Sequence, residues 1–182
     1  MTKKSTNKTS SSLKGEQPKI VSSDQLVSEK SVELSEFEYG LIIAWHAFSR
    51  WLARCMSAAS DFELTPVDVL VLHHLNHRKK EKKLSDICFV LNIEDTHIVS
   101  YSLKKLVSAN LVKSKKQGKE VSFFLTSEGS DVCDAYREVR ETCLMSGFTG
   151  EESENKQFRE LAGVLRALSG HYDQAARAAS SI

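Results

Sequence analysis

The sequence predicts a mainly helical chain with one small β element, an α+β arrangement, and three observations predict it. Its 182 residues include only two prolines and eight glycines, so long uninterrupted helices are allowed and an all-β sandwich is disfavoured. Apolar residues recur every three or four positions through most of the chain, which is the helical period. The stretch LVKSKKQGKEVSFFLT breaks that period and alternates around a glycine, as a β-hairpin does.

Bulk composition narrows the class further. At 41% hydrophobic and 27% charged the chain reads as an ordinary globular domain, long enough to bury a real core. The net charge of +1 hides an asymmetry: between His73 and Lys119 eleven lysines and arginines stand against four acids, so this block alone carries +7. A local basic block on a near-neutral protein suits an anionic partner, although a solvated lysine-rich face gives the same count. Cys55, Cys88, Cys133 and Cys143 are far apart and form no CxxC pair, so they read as reduced thiols. There is no apolar run of transmembrane length, and MTKKSTNKTSSSLKGEQPK lacks the apolar centre of a signal peptide. The expected location is the cytoplasm, with no membrane partner.

In chain order, residues 1–31 are rich in Ser, Thr and Lys and are expected to be a disordered tail. Phe37, Leu41, Trp45, Phe48, Leu52, Cys55 and Ala59 then mark one long amphipathic helix. ELTPVDVLVLHHLNH opens a second helix with Thr65 as N-cap, Pro66 at the first position, Asp68 at the third, and Leu64 with Val69 as a hydrophobic staple. LSDICFVLNI predicts a third, capped by Ser85 with Leu84 packed on Phe89. IEDTHIVSYSLKKLVSANLV predicts a fourth, capped by Asp95, with Val99, Leu103, Leu106 and Val107 inward. In the hairpin, Val121, Phe123 and Leu125 alternate and Gly118 supplies positive φ. Thr126 or Ser127 caps a fifth helix bearing Val132, Tyr136, Val139 and Cys143, which Gly147 and Gly150 end. Thr149 with Glu152 is a capping box for a last helix, striped by Phe158, Leu161, Leu165, Leu168 and Tyr172.

The outward side of the fourth helix carries His97, Tyr101, Lys104, Lys105 and Ser108: hydrogen-bonding groups, a ring, two cations and no acid. A merely solvated face more often mixes both signs, because opposite charges four apart stabilise it. Three short helices followed by a basic hairpin make a winged helix-turn-helix. The major groove of B-DNA admits one helix, and Lys113, Lys115, Lys116 and Lys119 on the hairpin can reach phosphates beside it.

With its flanking long helices, the chain from about residue 34 to 175 resembles the MarR family of bacterial transcription regulators. The likeness is carried by ELTPVDVLVLHHL, by LSDICFVLNIEDTHIVSYSLKKLVSANLVK and by VSFFLTSEG. The resemblance implies a homodimer straddling a pseudo-palindromic site of double-stranded DNA. It divides the chain into a helical dimerisation domain (32–60 and 130–180) and a winged helix-turn-helix domain (61–129). Helix 95–108 becomes the recognition helix, with His97, Ser100, Tyr101 and Lys104 facing bases or phosphates and Lys105 beside them. Two departures stand out. The family's wing tip usually carries Asp-x-Arg, whereas here it is QGKE, so Lys119 offers a point charge without the planar fork. Tyr101 stands where many members have arginine. The lysine-rich style and closing-helix pattern also resemble the alphaproteobacterial branch that regulates L,D-transpeptidase genes of the cell wall.

The resemblance also implies a small, often aromatic, effector near the dimer helices. Trp45, His46, Ser49 and Arg50, with Phe48 and Trp51 close by, suit an aromatic or anionic molecule, though Trp45 and Phe48 also fit a core or dimer contact. A thiol switch is the other route, and Cys55, next to Arg54, is its candidate. His73 and His77 are four apart on a helix but have no third metal ligand near in sequence, so neither a metal nor a cofactor is expected. The chain has no nucleophile elbow, phosphate loop or HExxH, and it reads as a non-enzyme. The competing reading is a winged-helix module that binds an acidic protein rather than a DNA sequence.

Overall fold

The computed structural model describes residues 30–182. The expected tail is therefore outside the described residues apart from its last two positions. Six helices and a three-stranded antiparallel sheet follow one another as α1 (Val32–Ala59), α2 (Pro66–Asn76), β1 (Lys82–Lys83), α3 (Leu84–Leu91), α4 (Thr96–Ser108), β2 (Val112–Gln117), β3 (Glu120–Leu125), α5 (Ser127–Cys143) and α6 (Glu152–Ala179). Sheet order is β1-β3-β2. None of the described helices is long and apolar enough to cross a membrane. The chain divides into two compact units, with the boundary after Ser49, inside α1.

In the first unit, Leu41, Ile42, Ile43, Trp45 and Phe48 are all exposed. The second unit, Arg50–Ile182, holds the hydrophobic core. Leu52, Cys55 and Met56 meet Val69, Val71, Leu72 and Leu75 of α2, Ile87 of α3, Val99, Leu103 and Leu106 of α4, and Val132, Cys133 and Tyr136 of α5.

Local chemistry explains most element boundaries. The Thr65 N–H donates to Asp68 Oδ2 at 2.8 Å and the Asp68 N–H donates back to Thr65 Oγ1 at 3.3 Å, a capping box with Pro66 at the first position. Asp95 Oδ1 accepts the His97 N–H at 2.9 Å and starts α4. Thr126, rather than Ser127, caps α5 through the Gly129 N–H, while its own hydroxyl donates to the Asn110 carbonyl at 2.8 Å. The hairpin runs from Val112↔Leu125 to Gln117↔Glu120, closed by Gly118 at φ +63° and Lys119.

Two expected caps differ. Helix α3 begins at Leu84, not after Ser85, because Lys82 and Lys83 are paired with Phe123 and Ser122 of β3 and leave the strand directly into the helix. Phe89 does not pack on Leu84; it is 85% exposed. Before α6 the acid that closes the turn is Glu154, which accepts from Thr149 Oγ1 and the Gly150 N–H, both at 3.0 Å. Glu152 instead pairs with Arg159, one turn further than a capping box reaches. The inner stripe of α4 also shifts by one: Ser102 is buried at 1% exposure and Val107 lies at 38%.

Gly129 is required by close approach. A Cβ there would run into the Leu111 carbonyl oxygen and lie 3.1 Å from Leu125 Cδ2, because the first turn of α5 rests on the chain entering β2. That carbonyl also accepts the Thr126 N–H at 3.1 Å, so it cannot move freely. Gly129→Ala is expected to lower unfolding free energy by about 1–3 kcal/mol, as overpacking does. Urea titration checks this, and an unchanged midpoint would show that the α5–β2 junction yields.

Candidate nucleic-acid interface

Helix α4 separates into two faces. Val99, Ser102, Leu103 and Leu106 are at most 1% exposed and hold it on the core. Facing out are His97, Tyr101 at 73% exposure, and Lys104, with Ser100 half-buried at the margin. No acid stands on the outward face, and Asp95 at the helix start is engaged by the His97 N–H.

Lys105 lies at the margin of that face and is already engaged. Its ammonium donates to Asp68 Oδ2 at 2.9 Å, and the Asp68 side chain is only 3% exposed. A buried carboxylate without a partner would be costly, and α4 supplies the partner. Burial pushes the Asp68 carboxyl up, but the bonds from Lys105 and from the Thr65 backbone outweigh it and hold the group below the usual carboxylate range. Sequence reasoning took Lys105 as outward. The signal for its partner was an acid inside the apolar run PVDVLVL.

On the hairpin, cross-strand partners share a face, so Lys113 and Lys115 lie with Phe124 and Ser122, while Lys116 lies with Val121 on the opposite face. All four wing lysines are exposed. Lys115 reaches Glu81 at 3.1 Å, and Lys83 reaches Glu120 at 2.6 Å, so the two acids nearest the sheet are taken. Lys82 is turned inward onto the His74 and His77 carbonyls. Among the described residues Lys104, Lys113, Lys116 and Lys119 form no ion pair and are open to an external anion. Arg78, exposed at φ +62° and equally without an ion pair, extends the basic surface beyond the residues singled out from sequence.

The other candidates fall elsewhere. Trp45, His46 and Arg50 are exposed and Ser49 is half-buried, while three cavities of the Arg50–Ile182 unit, of about 680, 460 and 260 Å³, are lined by none of the four. Cys55 does not have the cationic, accessible setting of a reactive thiol. It is 1% exposed, its thiol donates to the Tyr136 carbonyl at 3.6 Å, and burial pushes its pKa up. The His73 ring sits edge-on to Tyr136 at 4.4 Å, and no cluster of three metal-binding side chains occurs among the described residues.

Asp68 ties stability to pH. Its folded pKa is depressed, so its contribution is fully present above the unfolded value of about 3.9 and is lost as pH falls through the folded one. The stability difference between the wild type and Asp68→Asn should therefore be constant from pH 7 to 5 and shrink only below about pH 4. Urea midpoints across that range check it, and a difference that instead shrinks above pH 5 would contradict the assignment.

The winged helix DNA-binding domain family matches residues 64–129. Among solved structures, a MarR family transcription regulator, SP03579, superposes with TM-score 0.62 at 15% identity over 78% of this chain and 93% of its own. Reduced AbfR bound to DNA, the Staphylococcus epidermidis protein, gives 0.57 at 24% identity over 75% and 96%. A MarR transcriptional regulator from Methanosarcina mazei gives 0.57 at 18% over 72% and 96%. No curated protein sequence matches the chain. Residues 64–129 thus match a winged helix DNA-binding domain family, within a chain that shares the fold of solved MarR family transcription regulators.

Proposed function

We propose that the chain is a transcription regulator that binds one pseudo-palindromic DNA sequence as a homodimer. The observation that carries the reading is the outward face of α4, free of acids and bearing Lys104, together with the unpaired wing cations Lys113, Lys116 and Lys119. A helix of this size fills the major groove, where His97, Ser100 and Tyr101 can meet base edges while the lysines displace counterions from phosphates. That AbfR, a neighbour in fold, was solved bound to DNA supports a DNA-binding reading.

The dimer rests on apolar stripes that one copy leaves open. Helix α6 has no buried residue. Phe158, Leu161, Leu165, Leu168 and Tyr172 follow each other at alternating spacings of three and four, the seam of a helix that packs against another helix. Phe158 and Leu161 are each 49% exposed and Leu165 is 38% exposed, and α1 adds Leu41, Trp45 and Phe48. Apolar patches of this extent mark an interaction surface. A small aromatic or anionic molecule is the effector class that Trp45, His46, Ser49 and Arg50 would suit.

Selection of bound duplexes from a random DNA pool tests the function. The expected result is an enriched palindrome with half-sites about one helical turn apart. Lys104→Ala with Lys116→Ala should then lower affinity and flatten the dependence of log K on log salt, by about one slope unit for each lost phosphate contact. Unchanged binding by that double variant would remove this surface from the interface. No enriched sequence would leave the basic block to an acidic protein partner. For the dimer, Leu161→Glu with Leu165→Glu should shift sedimentation to the monomer while the far-UV spectrum stays helical. A dimer that survives both glutamates places the interface elsewhere.

A further inference from the structure

We infer that the Asp68–Lys105 pair sets the pose of α4 on the domain and thereby the DNA sequence preference, with Lys105 acting as a positioning residue rather than a DNA contact. The inference rests on the DNA-binding reading above. In sequence Lys105 looks like one more phosphate-binding lysine beside Lys104. In the fold its ammonium is committed to a carboxylate that is 3% exposed, on the same Oδ2 that takes the Thr65 N–H. Lys105 is therefore fastened to the cap of α2, and α2 is a wall of the core through Val69, Val71, Leu72 and Leu75.

Beside Lys105, the buried Ser102 of α4 also faces Asp68, and the rest of the grip on α4 is apolar. Val99, Leu103 and Leu106 hold it at 0–1% exposure, but apolar burial is non-directional and leaves a helix free to roll or slide slightly in its seat. The charge pair is a directional bond with a fixed address. Lys105 lies four residues after Tyr101, one turn along the same side of the helix, so a change of roll at one is carried to the other. Base readout depends on hydrogen-bond geometry, so a small roll at Tyr101 and Ser100 costs discrimination without costing charge. Its surroundings argue the same way: the cavity of about 680 Å³ that Lys105 lines carries two acids, Asp61 and Glu63, against one other cation, Arg54, so the wall beside Lys105 is net acidic.

The test uses the full chain, the duplex selected by the wild type and a scrambled duplex of the same composition, with affinities measured at several salt concentrations and corrected for folded fraction by circular dichroism. Lys105→Met and Asp68→Asn should each lower the ratio of selected to scrambled affinity by about tenfold, the discrimination of one well-placed base contact. The salt slope should stay at the wild-type value on both duplexes. Lys105→Arg, which can still reach Asp68, should restore the ratio. Lys104→Ala is the contrast, losing about one unit of slope. If Lys105→Met loses that unit of slope with the ratio unchanged, Lys105 is a phosphate contact and the inference fails. If neither quantity moves in the folded variant, the pair only stabilises, and the inference fails equally. A wild-type protein that selects no duplex would fail at the first step, removing the DNA-binding reading before any variant is made.

Discussion

One buried carboxylate orders the junction between α2 and α4. Asp68 is in the core because α2 must bury Val69, Val71 and Leu72 around it, and a carboxylate in that setting demands donors. One is the Thr65 N–H of its own helix cap and one is the Lys105 ammonium on α4. The same group thus starts α2, defines where α4 crosses it, and removes one lysine from the surface. Without it the α2–α4 junction would be apolar contact alone, which gives adhesion but little register.

The charges around it divide by the same logic. The +7 block of the sequence is not a uniform basic sheet. Lys105 neutralises Asp68, Lys115 meets Glu81, Lys83 meets Glu120, and Lys82 satisfies the carbonyls at the end of α2. These pairs pin the short β1 strand and the hairpin to each other and to the helices. The exposed ones contribute little to stability singly. What they do is leave, beside Arg78, unpaired cations in two places, Lys104 on α4 and Lys113, Lys116 and Lys119 on the wing. A phosphate backbone running past both meets positive charge at separated points, which fixes orientation better than one dense patch would.

How much of this was legible in the sequence follows from the range of each interaction. Thr65, Asp95 and Thr126 could be read as caps because a cap bonds to a backbone N–H two or three residues away. The hairpin and its glycine were equally local. Ser85 failed as a cap because pairing of Lys82 and Lys83 with β3, some forty residues on, sets where α3 begins. Glu152 failed because a neighbouring acid, Glu154, reaches the same turn first. The partners of Lys105 and Cys55 were not legible for one reason: helical spacing tells which side a residue is on, but not which buried partner waits there. Asp68 lies 37 residues before Lys105, and the Tyr136 carbonyl 81 residues after Cys55. Spacing alone did not reveal the exposure of α6, since an apolar stripe looks the same whether or not its chain covers it; only the resemblance implied an open one.

The wing shows what such a surface can and cannot do with lysine alone. Its tip offers Lys119, with Lys116 nearby on the strand, while Glu120 is held by Lys83 and so does not cancel them. An ammonium is a compact point charge that finds a phosphate but has no planar fork with which to grade a groove. Affinity from the wing is therefore electrostatic and nearly blind to sequence. Under the proposed function, selectivity falls back on α4, where His97, Ser100 and Tyr101 stand on the outward and marginal positions of one short helix. Three side chains on one helix discriminate only as well as that helix is held. That returns the burden of specificity to Asp68 and Lys105, the pair that fastens α4 to α2.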